Sequence, residues 1–192
     1  NATLTDESIK GLFSVTNPNF NNSDKSLSLT VEATEIDRIK DFGYKNNKIG
    51  FNIGTEFEYL NDLNFGVSTS SYYEKIETDE TASARQKKQE GNYWDTFGIL
   101  NFDYDKRNQK FQTSDGFRSR YFVNIPIISE TTTFTNTYDF KIFAELFDQN
   151  VSTASFFLKT SNSLKNDDIK LSERLFVPSY KLRGFEKGKI GP

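Results

Sequence analysis

Three aspartates have the residue type and the spacing to do chemistry: Asp95, Asp103 and Asp105. All three have odd numbers, so on one β-strand their carboxylates point to the same side. Carboxylates arranged in this way could bind Ca²⁺ or work as a general acid and base. The other interpretation, which we favour, is a polar strand face or a solvated strand end. Arg118 and Arg120 share a face and could neutralise the aspartates across a hairpin.

Composition excludes most other kinds of catalytic site. The 192 residues include no histidine and no cysteine, which excludes histidine bases, Ser-His-Asp triads, disulfides and imidazole or thiolate metal sites. The formal net charge is −3, so there is no broad basic surface for nucleic acid. No apolar run approaches the roughly 20 residues that a membrane-spanning helix needs. We therefore expect no catalytic residue, no metal and no cofactor, and a protein that is not an enzyme.

The elements that must position these residues are β-strands. Apolar and polar residues alternate along most of the chain, for example over residues 49–59, and turn residues such as Asn61-Asp62 separate the alternating runs. The pattern predicts an all-β, antiparallel sheet of about eight strands in meander order, without capped helices. The predicted strands cover residues 9–20, 26–37, 47–60, 63–77, 92–107, 117–129, 133–147 and 151–160.

Each predicted strand has one mainly apolar face and one mainly polar face. In a membrane barrel the apolar face contacts lipid and the polar face lines a water-filled lumen. The residues predicted to face lipid are Leu29, Phe51, Ile53, Val67, Val123, Ile125, Phe140 and Ile142. The charged residues predicted to face the lumen are Glu56, Glu58, Arg118, Arg120, Lys141 and Glu145.

Three features favour a membrane barrel over a soluble sandwich. The predicted strands are longer than the usual soluble strand of about 5–6 residues. Aromatic residues gather near strand ends, as in the interfacial girdles of barrels. Short turns tend to alternate with polar stretches, at residues 37–47, 77–92 and 161–168, as periplasmic turns alternate with external loops. Alternation by itself does not distinguish a core-facing side from a lipid-facing side, so a soluble β-sandwich stays open as an alternative.

The end of the sequence carries the most specific motif. It consists of Arg183, Gly184, Phe185, Ile190, Gly191 and Pro192, with a short polar spacer between its two halves. Gly184 permits backbone conformations that are closed to other residues, and Arg183 offers a fixed fork of donors suited to carboxylates. This pattern resembles the signature on the sixth extracellular loop of the BamA/TamA family of outer-membrane barrels.

Two further elements resemble that family and occur in its order. Residues 14–20, Ser-Val-Thr-Asn-Pro-Asn-Phe, resemble an element that ends a strand, where Pro18 closes the strand into a turn. Residues 104–118 resemble a strand, a Pro-Thr-Asp-Gly turn and the next strand, with Gln112 where proline is usual. The three elements together extend over nearly the whole chain.

The resemblance implies that residues 1–192 form one partial transmembrane β-barrel domain, about eight strands of a sixteen-stranded barrel. The element at Asn17-Pro18 would end about the fourth strand, and Arg183 would lie in the loop after the eleventh. The remaining strands and the POTRA domains would lie outside this sequence. In the family, the loop arginine reaches into the lumen and binds acidic residues on later strands.

The implied function is the folding and insertion of β-barrel proteins into the bacterial outer membrane, without covalent catalysis. The implied partners are nascent outer-membrane proteins, accessory assembly lipoproteins and the lipid bilayer. Two alternatives come from other classes. One is a complete eight-stranded outer-membrane barrel with a structural or adhesive role, and the other is a soluble β-sandwich or lipocalin-like binder.

Overall fold

The computed structural model describes residues 2–5, 8–130, 132–165, 168–177 and 184. Within these residues the regular secondary structure is almost entirely β-strand. The strands are β1 (Ala2–Thr5), β2 (Ser8–Asn17), β3 (Ser26–Arg38), β4 (Tyr44–Leu60), β5 (Leu63–Thr78), β6 (Gly91–Asp105), β7 (Gly116–Ile128), β8 (Thr133–Phe147) and β9 (Asn150–Ser163). The helical pieces are α1 (Ile39–Phe42), α2 (Ala84–Lys87) and two 3₁₀ turns, Phe20–Asn22 and Leu171–Glu173.

The strands form a single antiparallel meander in which each strand pairs with the next. The order across the sheet is β1-β2-β3-β4-β5-β6-β7-β8-β9. In the part of the chain that is described, β1 and β9 are therefore the two edges and do not pair with each other. The predicted all-β meander is confirmed, with nine strands rather than eight. The closed eight-stranded barrel is not what these residues form.

The additional strand is β1, which the sequence pattern did not predict. Its four residues, Ala2–Thr5, are too few for alternation to be recognised. They are held in the sheet by pairing with β2, where Thr3 lies opposite Lys10. Pairing with a neighbour, rather than local pattern, defines this strand.

The register of the sheet separates an apolar face from a polar face. One row across the apolar face runs through Leu29, Ile53, Thr69, Gly98 and Ile125. One row across the polar face runs through Glu32, Gly50, Tyr72 and Asp95. Because successive side chains of a strand point to opposite faces, these rows determine the face on which every other residue of the same strands lies. All eight residues predicted to face lipid lie on the apolar face, and all six charges predicted to face the lumen lie on the polar face.

The apolar face is exposed along its length. Phe13 is 65% exposed, Ile49 56% and Phe156 55%. A soluble sandwich would cover such a face with a second sheet, because water-exposed apolar patches of this extent are rare in soluble monomers. The buried residues instead lie mainly on the polar face, where Tyr44, Ile76 and Leu171 pack together.

The connections at the two ends of the strands differ less in length than predicted. The predicted polar loop at 37–47 shrinks to residues 39–43, because β3 and β4 continue pairing through polar side chains such as Asp37 opposite Lys45. At the other end, the connection 106–115 is nearly as long as the loop 79–90. Polarity alone therefore overestimated the loops, since a strand can remain paired where both of its faces are polar.

One short helix has a cap that the sequence analysis did not predict. The side chain of Ser83 accepts a hydrogen bond from the backbone N–H of Gln86, and the Gln86 side chain accepts one from the backbone N–H of Ser83. This reciprocal capping box starts α2 inside the 79–90 loop. In the described part of the chain, no helix is long and apolar enough to cross a membrane.

Candidate functional site on the polar face

The candidate site is formed where residues 168–177, which follow β9, fold back over the polar face of the sheet. Asp168, at the start of this segment, pairs with Arg85 on α2. Lys170 contacts Glu74 on β5 and Asp95 on β6, and Phe176 reaches the connection between β3 and β4. The 168–177 segment thus contacts elements that are distant in sequence and lies across several strands at one end of the sheet.

Lys170 is the centre of the site. Its ammonium nitrogen lies 2.5 Å from Asp95 Oδ2, 2.8 Å from Glu74 Oε2 and 3.6 Å from Glu173 Oε1. The side chains of Lys170 and Asp95 are fully buried, and Glu74 is 1% exposed. Charges removed from water in this way are stable only when they are paired and their remaining hydrogen-bonding capacity is used.

The carboxylates around Lys170 have further donors. Asn46 Nδ2 donates to Glu74 Oε1 at 2.9 Å, and Ser172 Oγ donates to Glu74 Oε2 at 3.0 Å. Ser129 Oγ donates to Asp95 Oδ1. The cluster is therefore a network built from four strands or connections and the 168–177 segment, rather than an isolated ion pair.

The network shifts the pKa values of Lys170 and Glu173, two of the ionisable groups of the segment. Burial by itself would lower the pKa of Lys170, but attraction to Glu74 and Glu173 and the bond to Asp95 outweigh it, so its pKa lies above 10.5. Burial raises the pKa of Glu173, although the positive charge of Lys170 opposes the change. Lys170 therefore carries its charge at neutral pH.

Hydrogen bonds between the Gln89 side chain and the backbone of the segment fix its register beside Lys170. Leu171 N donates to Gln89 Oε1 at 2.8 Å, and Gln89 Nε2 donates to the carbonyl oxygen of Ile169 at 3.4 Å. The Leu171 side chain is 2% exposed and packs against Tyr44 and Ile76. One glutamine thus holds the backbone on both sides of Lys170.

Aromatic rings surround the ammonium group. The Lys170 nitrogen lies 5.4 Å from the ring centre of Tyr72 and 4.9 Å from that of Tyr93, within cation–π range. Tyr72 also stacks on Phe97 and donates a hydrogen bond to Glu173. Its position depends on Gly50, directly opposite on β4, because a side chain at Gly50 would collide with Tyr72.

A second contact holds the far end of the segment. The rings of Phe42 and Phe176 meet edge to face with centroids 5.9 Å apart. The guanidinium carbon of Arg38 lies 5.5 Å from the Phe42 ring centre and 5.6 Å from that of Phe176. The 168–177 segment is therefore held at its start by Asp168, in its middle by Lys170 and near its end by Phe176.

The three aspartates singled out from the sequence share the polar face as predicted, but each is bound to a cation. Asp103 accepts from Arg118 Nε at 2.9 Å, and Asp105 accepts from Arg107 Nε at 2.7 Å. Asp95 belongs to the Lys170 cluster. Within the described residues, no group of three or more Asp, Glu, His or Cys side chains could hold a metal ion. Each of the three carboxylates therefore takes part in an ion pair on the polar face.

The charged residues predicted to face the lumen lie at the opposite ends of the strands from Lys170. Arg120 pairs with Asp139 at 3.5 Å, in addition to the pairing of Arg118 described above. Glu58 and Glu145 accept hydrogen bonds from the backbone N–H groups of Asp62 and Gln149, in the two tight turns. Both turn residues have positive φ, so each glutamate stabilises an otherwise strained hairpin.

Most of the predicted loop motif lies outside the described residues: Arg183, Phe185, Ile190, Gly191 and Pro192. Gly184 is described. It has φ of 91°, a conformation that side chains rarely adopt, and the space where a Cβ would stand is open. The role of glycine as the turn residue of the motif agrees with this geometry.

The sequence analysis missed Lys170, Glu74 and the 168–177 segment. The only local signal was the polar composition of residues 161–168, which predicts a solvated loop. Lys170 and Asp95 are separated by 75 positions, and no periodicity connects them. The pairing results from the way the chain returns over the sheet.

Comparisons with known proteins agree with this architecture. The Omp85 superfamily domain matches residues 1–192. The crystal structure of BamA from Haemophilus ducreyi lacking POTRA domains 1–3 is similar in fold, with a TM-score of 0.85 at 15% sequence identity. The match covers 100% of this chain and 40% of the BamA chain, so this chain spans less than half of that structure. No curated protein matches the sequence significantly. The resemblance predicted from the sequence is confirmed, and the chain belongs to the Omp85 superfamily.

Proposed function

We propose that this chain is part of an outer-membrane protein assembly factor that folds and inserts β-barrel proteins into the bacterial outer membrane. The observation that carries the proposal is the match of the Omp85 superfamily domain over residues 1–192. Its partners would be nascent outer-membrane proteins, accessory assembly lipoproteins and the lipid bilayer. It would act without covalent catalysis, by perturbing the bilayer and by presenting strand edges that pair with nascent barrel proteins.

The two faces of the sheet support a position within a membrane barrel. The exposed apolar face is suited to lipid, since hydrocarbon accepts side chains such as Phe13 and Ile49 without a covering layer. The polar face, with its ion pairs, is suited to a water-filled lumen. The resemblance implies that β2, which ends at Asn17, is about the fourth strand of a sixteen-stranded barrel and that the loop motif follows the eleventh. Strands four to eleven are eight strands, the number from β2 to β9.

The loop motif is the part of the chain to which we assign the functional role. In this proposal Arg183 anchors the loop inside the lumen by charge-assisted hydrogen bonds to carboxylates, which are among the stronger hydrogen bonds. Gly184 forms the turn, and Phe185 packs the tip of the loop. None of these contacts is part of the strand ladder, so their loss should affect assembly of other proteins more than folding of this one.

The experiment is complementation of a strain depleted of the complete protein. Arg183→Ala should reduce the amounts of other barrel proteins in the outer membrane while its own surface level, measured by protease accessibility, is kept. Arg183→Lys should rescue only partly, because an ammonium group cannot reproduce a two-pronged contact. Lys75→Ala is the control, since Lys75 forms an exposed pair with Glu77 on the apolar face. Normal growth and normal barrel-protein levels with Arg183→Ala would contradict the proposal.

A further inference from the structure

We infer that Lys170 is the positioning residue that holds the 168–177 segment on the polar face, and that it does so independently of the Arg183 motif that follows. The functional importance of this docking rests on the proposed function, because the segment leads into the loop motif. The holding itself follows from contacts among described residues. It assigns to one buried lysine a role separate from that of the motif.

The first argument is the charge balance of the cluster. Among the described residues, Lys170 is the one cation in ion-pair contact with Glu74 and Asp95, and both carboxylates are buried where the 168–177 segment lies over them. Removing the ammonium group would leave two buried carboxylates without an ion-pair partner, although Lys48, over the Tyr72 ring, still attracts Glu74 from farther away. The segment would then leave the sheet and water would reach the carboxylates, because an unpaired charge has a higher free energy when it is buried than when it is hydrated.

The second argument is that the cluster specifies one register. A shift of the segment by one residue would move Lys170 away from its carboxylates and Leu171 out of its pocket against Tyr44 and Ile76. It would also break the bond from Leu171 N to Gln89. A merely apolar contact would tolerate such a shift, whereas a buried charge does not.

The third argument is the separation of Lys170 from the motif. Phe176, held by Phe42 and Arg38, lies between Lys170 and Arg183 along the chain. Release of the chain beyond Phe176 therefore leaves the contacts of Lys170 with the described residues in place. The docked segment is a fixed base from which the loop motif extends, so that loss of either part should impair assembly by a different route.

The test measures docking with a single cysteine at Leu171. The chain has no cysteine of its own, and the rest of the complete protein is kept cysteine-free. Leu171 is 2% exposed when the segment is docked, so the rate of maleimide labelling of Leu171→Cys reports the fraction undocked. Leu164→Cys, at a position 63% exposed, is the labelling control. Folding of the barrel is checked by heat-modifiable gel mobility.

Lys170→Met should raise the labelling rate at Leu171→Cys by about two to three orders of magnitude, the ratio expected when one member of a buried ion pair is lost. Arg183→Ala should leave that rate unchanged. Lys75→Met, which breaks the exposed pair with Glu77, should also leave it unchanged. Trypsin cleavage at Arg174 gives a second measure of docking that does not need the cysteine.

A rescue variant distinguishes charge matching from general damage. Adding Glu74→Gln and Asp95→Asn to Lys170→Met removes the unpaired charges while Asn46, Ser129 and Ser172 can still hydrogen-bond to the amides. Protection of Leu171→Cys should return in this triple variant. If Lys170→Met alone leaves the labelling rate unchanged in a folded barrel, or if the triple variant labels as fast as the single one, the inference is wrong.

The outcome is separable from that of the proposed function. If Lys170 controls docking but neither Lys170→Met nor Arg183→Ala changes the level of other barrel proteins, the inference stands as a statement on docking and the assembly function fails. If Arg183→Ala impairs assembly while Lys170→Met changes neither docking nor assembly, the assembly function stands and the inference fails.

Discussion

A methyl group added at Gly50 tests how tightly β4 and β5 approach beside the candidate site. The Cβ of Gly50→Ala would lie 2.5 Å from the carbonyl oxygen of Ser71, 2.5 Å from Tyr72 Cβ and 2.9 Å from Tyr72 Cα. Carbon atoms in contact prefer about 3.5–4.0 Å, so Tyr72 or a strand must move by about 1 Å. Two of the three obstructing atoms are backbone, so a change of rotamer does not relieve the clash.

The expected cost is about 1–3 kcal/mol of unfolding free energy, the usual range for overpacking a well-packed site. Gly11→Ala on β2 is the matched control, because its Cβ would meet only the carbonyl oxygen of Ala33, at 3.9 Å. Both substitutions restrict the unfolded chain by a similar amount, about 0.4–1 kcal/mol. The difference between the two variants therefore isolates the clash.

The assay is urea unfolding of the complete protein in lipid vesicles, followed by heat-modifiable gel mobility. Because Tyr72 donates to Glu173 and lies beside Lys170, Gly50→Ala should also increase labelling of Leu171→Cys. Unfolding free energies of the Gly50 and Gly11 variants that agree within about 0.5 kcal/mol, the usual range for neutral surface changes, would refute the close approach of the strands.

Three further outcomes follow from the structure. Ile125→Arg, on the apolar face, should cost about 2–4 kcal/mol near the bilayer midplane, whereas Asn124→Arg, on the polar face, should cost much less; equal losses in vesicle unfolding would reverse the assignment of faces. Because the pKa of Lys170 is raised in the folded state, its stabilising contribution is complete below pH 10.5 and is lost only as the pH rises through the higher folded value. A dye on Val177→Cys should therefore report a docked segment from neutral pH to about pH 10, and release well below that pH would contradict the pairing. Ser83→Ala should cost about 1 kcal/mol locally, seen as faster tryptic cleavage within 84–88 at unchanged global stability; unchanged cleavage would show that the capping box does not hold the loop.

The sequence determined eight of the nine described strands and the two faces of the sheet, for a local reason. A strand places alternate residues on opposite sides, so the pattern from Ile49 to Tyr59 contains both the strand and its orientation. The tight turn at Asn61-Asp62 was also predictable, because Asp62 tolerates the positive φ that the hairpin requires. Each of these features depends on residues within a few positions of one another.

The tertiary structure alone decided the site. Lys170 lies beyond the last predicted strand and just after the polar stretch 161–168, and its partners Glu74 and Asp95 are on two strands far back in the chain. Only the return of residues 168–177 over the polar face removes these charges from water and pairs them. A charge by itself does not specify its partner, because electrostatic attraction depends on distance and burial, and both are set by how the chain folds.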